Sequence, residues 1–207
     1  DVDIAGPGFL NFRFTPAFRL AWLLKYSSVR DFRNAVQLGR KPFRVVVDFS
    51  SPNTAKQMHV GHIRSTIIGD VMARLLNFSG NEVTRDNHIG DWGTQFGILI
   101  LAIKRSKVDL DDLGEDSIAK LEDFYREGNQ LIDGNDSLRE EARSELVKLQ
   151  QGEKENLAIW EKVNAISLAS FHQVYDRLGI DFDEILGESF YRDKVDAVYE
   201  GLAKHDI

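Results

Sequence analysis

Val45-Val46-Val47-Asp48-Phe49-Ser50-Ser51-Pro52-Asn53-Thr54-Ala55-Lys56-Gln57-Met58-His59-Val60-Gly61-His62 is the stretch whose reading decides the fold. The run Val45 to Phe49 reads as a buried, parallel strand, and Ser50 to Met58 as a polar loop. From about Gly61 a helical period begins, with Ile63, Ile67, Val71 and Leu75 on one ridge and Ile68, Met72 and Leu76 beside it. A loop between a strand's carboxyl end and a helix start is where open α/β sheets bind ligands. The helix start offers unpaired N–H groups and partial positive charge, which suit phosphate. His59 and His62, three apart on the first turn, can face one ligand, while Gly61 leaves room for a flat base or ribose and Lys56 adds a mobile cation.

Downstream, Gly80 closes the helix, Glu82 to Asp86 reads as a second strand, and a further apolar helix runs from near Thr94 to near Arg105. Strand, loop, helix, strand, loop, helix is the grammar of a parallel α/β sheet. From Asp109 to about Leu178 long charged helices follow. Their apolar stripes include Leu121, Phe124 and Tyr125, then Leu146 and Leu149, then Ile159, Trp160, Val163, Ile166, Phe171 and Val174. Upstream, Phe9 to Phe14 alternates as a half-buried strand. Thr15-Pro16 then opens a helix that is expected to reach about Leu38. Gly39 to Pro42 reads as a linker, which gives three regions: 1–40, 41–108 and 109–207.

The 207 residues are 43% hydrophobic and 29% charged, a balance that supports a packed core rather than disorder. A net charge of −7 argues against a protein that coats nucleic acid, which needs a concentrated cationic face. With no cysteine there is neither a disulfide nor a thiolate metal site, and no apolar run is long enough to span a membrane. The expected setting is the cytoplasm. The chain opens on Asp1 rather than Met and stops at Ile207 within what reads as a continuing helix, so both ends are expected to be cuts.

His59-Val60-Gly61-His62 resembles the HIGH signature of class I aminoacyl-tRNA synthetases. The flanks narrow the resemblance to arginyl-tRNA synthetases: Ser50 to Asn53, Ala55-Lys56, Ile63 to Asp70, and Asn87-His88-Ile89-Gly90-Asp91-Trp92-Gly93-Thr94-Gln95-Phe96-Gly97. Gly6 to Phe12 resembles the close of that family's N-terminal RNA-contacting domain. Phe124-Tyr125, Lys148-Leu149-Gln150, Val174-Tyr175-Asp176 and Gly187 to Tyr191 resemble its connective insertion. The resemblance implies an α/β fold, the nucleotide-binding half of a Rossmann-like catalytic domain, with a helical insertion and a short N-terminal α+β remnant. It implies ATP-dependent activation of L-arginine to arginyl-adenylate and transfer to tRNA(Arg), with Mg²⁺ accompanying ATP, by a monomer. The KMSKS-like signature, most of the arginine pocket and the anticodon-binding domain are expected beyond Ile207, so the 207 residues alone are expected to be inactive.

Carried over residue by residue, the resemblance places ATP on His59, Gly61 and His62, with His59, His62 and Lys56 as the catalytic groups that stabilise charge on the α-phosphate. It places L-arginine on Ser51, Pro52, Asn53 and His62, with Asp48 meeting the guanidinium. Blander readings stand beside these. Asp48 is as well suited to capping or bracing the loop through backbone N–H groups. Trp92 reads as core packing, Gln95 is left open, and Phe171, Tyr175 and Phe190 read as core of the insertion. A zinc site on the two histidines would need His88, Asp86 or Asp91, and no metal is expected there. A purely structural role for both histidines is not expected on so polar a loop. Two rival functions remain: another nucleotidyl-transfer enzyme with the same loop, and a catalytically incomplete ATP- or RNA-binding module.

Overall fold

The computed structural model describes residues 1–39, 41–114 and 116–205. The linker residue Arg40 and the helix end at Ile207 lie outside them. The chain forms two compact units: Asp1–Arg44 with Arg74–Glu82, and Val45–Ala73 with Val83–Ile207.

In the first unit, β1 (Val2–Ala5) pairs antiparallel with β2 (Phe9–Phe12). The Thr15 hydroxyl accepts from the Phe18 N–H and Pro16 occupies the first turn of α1 (Pro16–Lys25), as the sequence leads one to expect. The single helix expected to Leu38 is instead two. The chain leaves the helix at Tyr26 and restarts as α2 (Val29–Gln37), because the Ser28 side chain accepts from the Asp31 N–H and caps a new start. Trp22, Tyr26, Phe32 and Phe78 pack ring against ring in this unit, with centroids 5.2–6.1 Å apart.

The sheet of the site is formed by β3 (Arg44–Asp48) and β4 (Glu82–Asp86), joined through α3 (Val60–Phe78). The bonds Glu82 N–H to Phe43 O and Phe49 N–H to Asp86 O advance in the same direction along both strands, so the pair is parallel. Parallel bridges Asn53 to Gly90 and Asp86 to Glu184 extend it. One expectation fails here. β3 is not buried: its residues alternate between exposed and half-buried, and Val46 is 68% exposed, because the sheet has only two strands among the described residues. The apolar ridge of α3 is likewise turned outward. Thr66, Gly69, Asp70 and Ala73 are its buried residues, while Ile67, Ile68, Val71, Met72 and Leu75 are exposed. The contact face is the small-residue one because Phe49 packs directly onto it: a Cβ at Gly69 would fall 2.2 Å from that ring.

The core lies among helices. α4 (Gln95–Ser106) buries Phe96, Gly97 and every residue from Leu99 to Ile103, packed against α5 (Ser117–Ile132), α6 (Asp136–Gln150) and α7 (Lys154–Leu178). Leu121, Leu149, Val163 and Phe171 are fully buried, as their stripes predict. After α7 the chain returns to β4 through Asp183 and Glu184, then forms α8 (Glu188–Tyr191) and α9 (Val195–Ala203). Phe171 and Tyr175 are core as expected, but Phe190 is not. It lies half exposed on α8, with the Lys194 ammonium 3.7 Å from its ring centre.

Candidate nucleotide-binding site

Ser50, Ser51 and Ala55 sit at φ of 75°, 47° and 60°, the left-handed region that residues bearing a Cβ seldom occupy. Three such residues in six persist only where surrounding bonds dictate the backbone, and such conformations cluster at functional sites. The Ser50 and Tyr175 hydroxyls share a 2.8 Å hydrogen bond. Asn87, fully buried, donates to the same Tyr175 oxygen at 3.1 Å and accepts the Ser51 N–H at 3.1 Å. Thr54 N–H donates to Gly90 O and Gly90 N–H to Pro52 O, while Ala55 N–H donates to the buried Ser167 hydroxyl at 2.9 Å. Burial raises the Tyr175 pKa, so at neutral pH the phenol stays protonated and keeps its donor.

The expected arginine-contacting residues divide. The Ser51 hydroxyl donates to Asp48 Oδ1 at 2.9 Å, so in this structure Asp48 braces the loop. Pro52 is buried and serves through its carbonyl. Asn53 lies against Gly90 so closely that a Cβ there would fall 1.9 Å from Asn53 Oδ1.

The two histidines build the start of α3 between them. His59 O accepts the Ile63 N–H, which makes His59 the capping residue. His59 Nδ1 accepts the Gly61 N–H at 3.1 Å, and His62 Nδ1 accepts the His59 N–H at 3.2 Å. This is a reciprocal capping box written with imidazoles. Each histidine thus has a structural part, satisfying a backbone donor of the first turn, and keeps its second ring nitrogen for other work. Gly61 is constrained by the same arrangement, since a Cβ there would lie 2.9 Å from the His59 ring. With Nδ1 engaged as an acceptor, each neutral ring carries its proton on Nε2 and presents that N–H as a donor. The rings lie 4.0 Å apart, and burial, then the charge of His59, lowers the His62 pKa below 6.5.

Beside the loop a cleft of about 300 Å³ is lined by Asn53, Lys56, Trp92, Gly93, Thr94, Gln95, Tyr125 and Glu188. Lys56 and Asn53 thus share a cavity, whereas His59 and His62 are not in its lining. Trp92 does two things: it packs edge-on against Trp160 at 5.8 Å in the core, and it forms one wall of the cleft. Gln95 donates to Trp92 O at 3.0 Å. Among the described residues no three His, Asp or Glu side chains are grouped to hold a metal ion.

Reasoning from sequence did not assign Tyr175, Ser167 or Asn87 to the site. Tyr175 and Ser167 come from α7, more than 110 residues along the chain from the loop, and no local signal marks them. Asn87 carried one: a polar residue leaving the second strand, beside the loop that leaves the first. Asp91, weighed in the sequence only as a possible zinc ligand, has a different task. It accepts from the Ser189 N–H and hydroxyl at 2.8 and 2.5 Å, while its carbonyl accepts the Trp160 indole N–H at 2.7 Å.

A parallel strand–loop–helix unit with paired histidines at the helix start, backed by a helical core, has the architecture of a class I aminoacyl-tRNA synthetase catalytic region. The model of the family described as tRNA synthetases class I (R), catalytic domain, matches residues 29–207. The chain belongs to that family. It is 46% identical over 203 residues to the arginine–tRNA ligase of Azotobacter vinelandii, covering 97% of this chain and 34% of the relative. To that of Thermosynechococcus vestitus it is 47% identical over 203 residues, covering 98% and 34%. Among solved structures, the arginyl-tRNA synthetase of Plasmodium falciparum superposes with a TM-score of 0.66 at 28% identity, covering 99% of this chain and 35% of that one. The Thermus thermophilus arginyl-tRNA synthetase gives 0.57 at 25% identity, covering 91% and 30%. The chain spans about a third of the length of the curated relatives it matches.

Proposed function

We propose that this chain is the ATP-facing part of an arginine–tRNA ligase, which activates L-arginine with ATP and transfers it to tRNA(Arg). In that reading 1–40 closes an RNA-contacting domain, 41–108 forms the first half of the catalytic sheet and 109–207 is the connective insertion. The observation that carries the proposal is the imidazole capping box. Both Nδ1 atoms are committed to backbone donors, so both Nε2–H groups are available at the positive end of a 19-residue helix.

The carboxylate oxygen of arginine attacks the α-phosphorus of ATP, the new O–P bond forms as the bond to the pyrophosphate oxygen breaks, and pyrophosphate leaves with its electron pair. His59 and His62 donate Nε2–H bonds to phosphoryl oxygens as negative charge grows on them, and Lys56 adds a full positive charge. Asn53, fixed against Gly90, and Ser51 orient the amino acid's α-amino and carboxylate end. None of these groups becomes covalently attached, and the rate comes from alignment and electrostatics. Mg²⁺ would arrive with the phosphates of ATP. The expected setting is the cytoplasm, and the expected assembly is a monomer. No helix among the described residues is long and apolar enough to cross a membrane.

The test is arginine-dependent charging of tRNA(Arg) by a protein of the relatives' full length that carries this segment. Replacing His62 with alanine should lower the rate by about 10²- to 10³-fold, the usual effect of losing one donor to developing charge. Charging that does not depend on arginine, or that survives the loss of His62 unchanged, overturns the reading.

A further inference from the structure

Lys56 has four rotatable carbons between its backbone and its charge, and a lysine left in solvent spreads over many rotamers. Here it does not. Its ammonium sits 4.8 Å from the centre of the Tyr125 ring, and the next residue, Gln57, donates its N–H to the Glu122 carboxylate at 3.4 Å. Glu122 and Tyr125 are three apart on α5 and so share a face, which meets the chain at Lys56-Gln57. Tyr125 is itself anchored, half-buried against the core that contains Leu121. Among the described residues Lys56 forms no ion pair, although Glu188 lines the same cleft. A carboxylate would hold the ammonium by cancelling its charge and occupying its N–H groups. An aromatic face attracts it through the ring quadrupole and takes no hydrogen bond, so all three donors stay available to phosphate.

We infer that Tyr125 is a positioning residue: its ring holds the Lys56 ammonium in the cleft, charged and with its donors unspent, ready for the phosphates of ATP. The inference rests on the reading of the loop as an ATP site, and it gives the helical insertion a part in the chemistry through α5.

The experiment uses the chain with Tyr125→Leu, Tyr125→Phe, Lys56→Gln and the double substitution Lys56→Gln with Tyr125→Leu. In the unsubstituted chain the Lys56 ε-methylene protons should resonate upfield of an exposed lysine's, because they lie over the ring. Tyr125→Phe should keep that displacement and Tyr125→Leu should abolish it. ATP affinity, followed by calorimetry with Mg²⁺ present, should fall about two- to fivefold in Tyr125→Leu, the fold-change that loss of a partly exposed cation–π contact produces, and stay unchanged in Tyr125→Phe. In the Lys56→Gln background Tyr125→Leu should have no further effect, since the ring then has no cation to hold. An absent ring-current displacement in the unsubstituted chain overturns the inference even if Tyr125→Leu fails to fold. So does an equal loss of affinity from Tyr125→Leu with or without Lys56, which would make Tyr125 only a wall of the cleft. If ATP does not bind the unsubstituted chain at all, the ATP reading itself falls, and the role of Tyr125 with it.

Discussion

The hydroxyls of Ser50 and Tyr175 meet at 2.8 Å although 125 residues separate them in the chain. Through this contact α7 sets the backbone of the candidate site, since Ser50 holds a left-handed conformation and the Tyr175 oxygen also takes the donor of Asn87. Removing the phenol oxygen leaves Asn87 Nδ2 buried without that partner, whereas removing the Ser50 hydroxyl leaves the pair of Asn87 and Tyr175 intact. Tyr175→Phe should therefore lower stability by about 1–3 kcal/mol and Ser50→Ala by less, read as midpoint shifts in urea at constant slope. Equal costs for the two would contradict this hierarchy.

Gly90 fixes the other end of the loop. Its N–H and carbonyl pair with Pro52 and Thr54, and Asn53 Oδ1 occupies the space a Cβ would need. Gly90→Ala should force Asn53 outward and cost about 1–3 kcal/mol of strain. Amide shifts in a heteronuclear NMR spectrum should concentrate at 50–55 and 87–91. A variant of unchanged stability with an unmoved Asn53 amide would refute the close packing.

Much of this was legible from residues 45–62 and 82–97, where strand, loop and helix signals are local and the family resemblance rests on adjacent residues. The capping role of His59 and His62 was hidden because imidazoles are not ordinary capping side chains. The contact face of α3 was not legible, because Ile67, Val71 and Leu75 dominate any periodicity, while contact is made through Thr66, Gly69 and Ala73. Tyr175 and Ser167 were invisible because nothing in a helical stripe says which of its polar atoms will meet a loop more than 110 residues away. The break at Ser27-Ser28 was readable: a serine followed three residues later by Asp31 is a helix-start signal inside what looked like one helix.

His62 should titrate below 6.5, chiefly because of its burial and secondarily because of His59. Its folded pKa is depressed, so the unfolded chain binds the extra proton first. The neutral-His62 contribution to stability is complete above about pH 6.5 and is lost as pH falls through the folded pKa. Protonation also removes the acceptor of the His59 N–H. His59→Gln should raise the His62 pKa only part of the way to 6.5, because the burial remains. The check is the pH dependence of the imidazole carbon-bound protons. A His62 pKa at or above 6.5 in the unsubstituted chain would refute the capping geometry.

Glu145 anchors α6 to α4 and α7. Burial alone would raise its pKa, but hydrogen bonds from Lys104, Lys148 and Asn156 reverse this and hold it at about 2. A depressed carboxylate contributes stability that is present above its unfolded value of 4.5 and is lost as pH falls toward 2. The contribution is at most about 3 kcal/mol by linkage, since Lys148 lies half in solvent. Glu145→Gln should flatten the fall in stability between pH 4.5 and 2, measured by urea unfolding at stepped pH, while an unchanged acid limb would remove Glu145 from the account.

The central claim is that the loop and helix start from Asn53 to His62 face ATP, and the most direct measurement is an NMR titration of the labelled chain with ATP and Mg²⁺. The account predicts saturable shifts at Asn53, Lys56, His59, Gly61 and His62, with the imidazole Nε2–H resonances moving most, and loss of those shifts in a chain carrying both His59→Ala and His62→Ala. Shifts confined to residues 136–178, or the same shifts surviving in the doubly substituted chain, would contradict it.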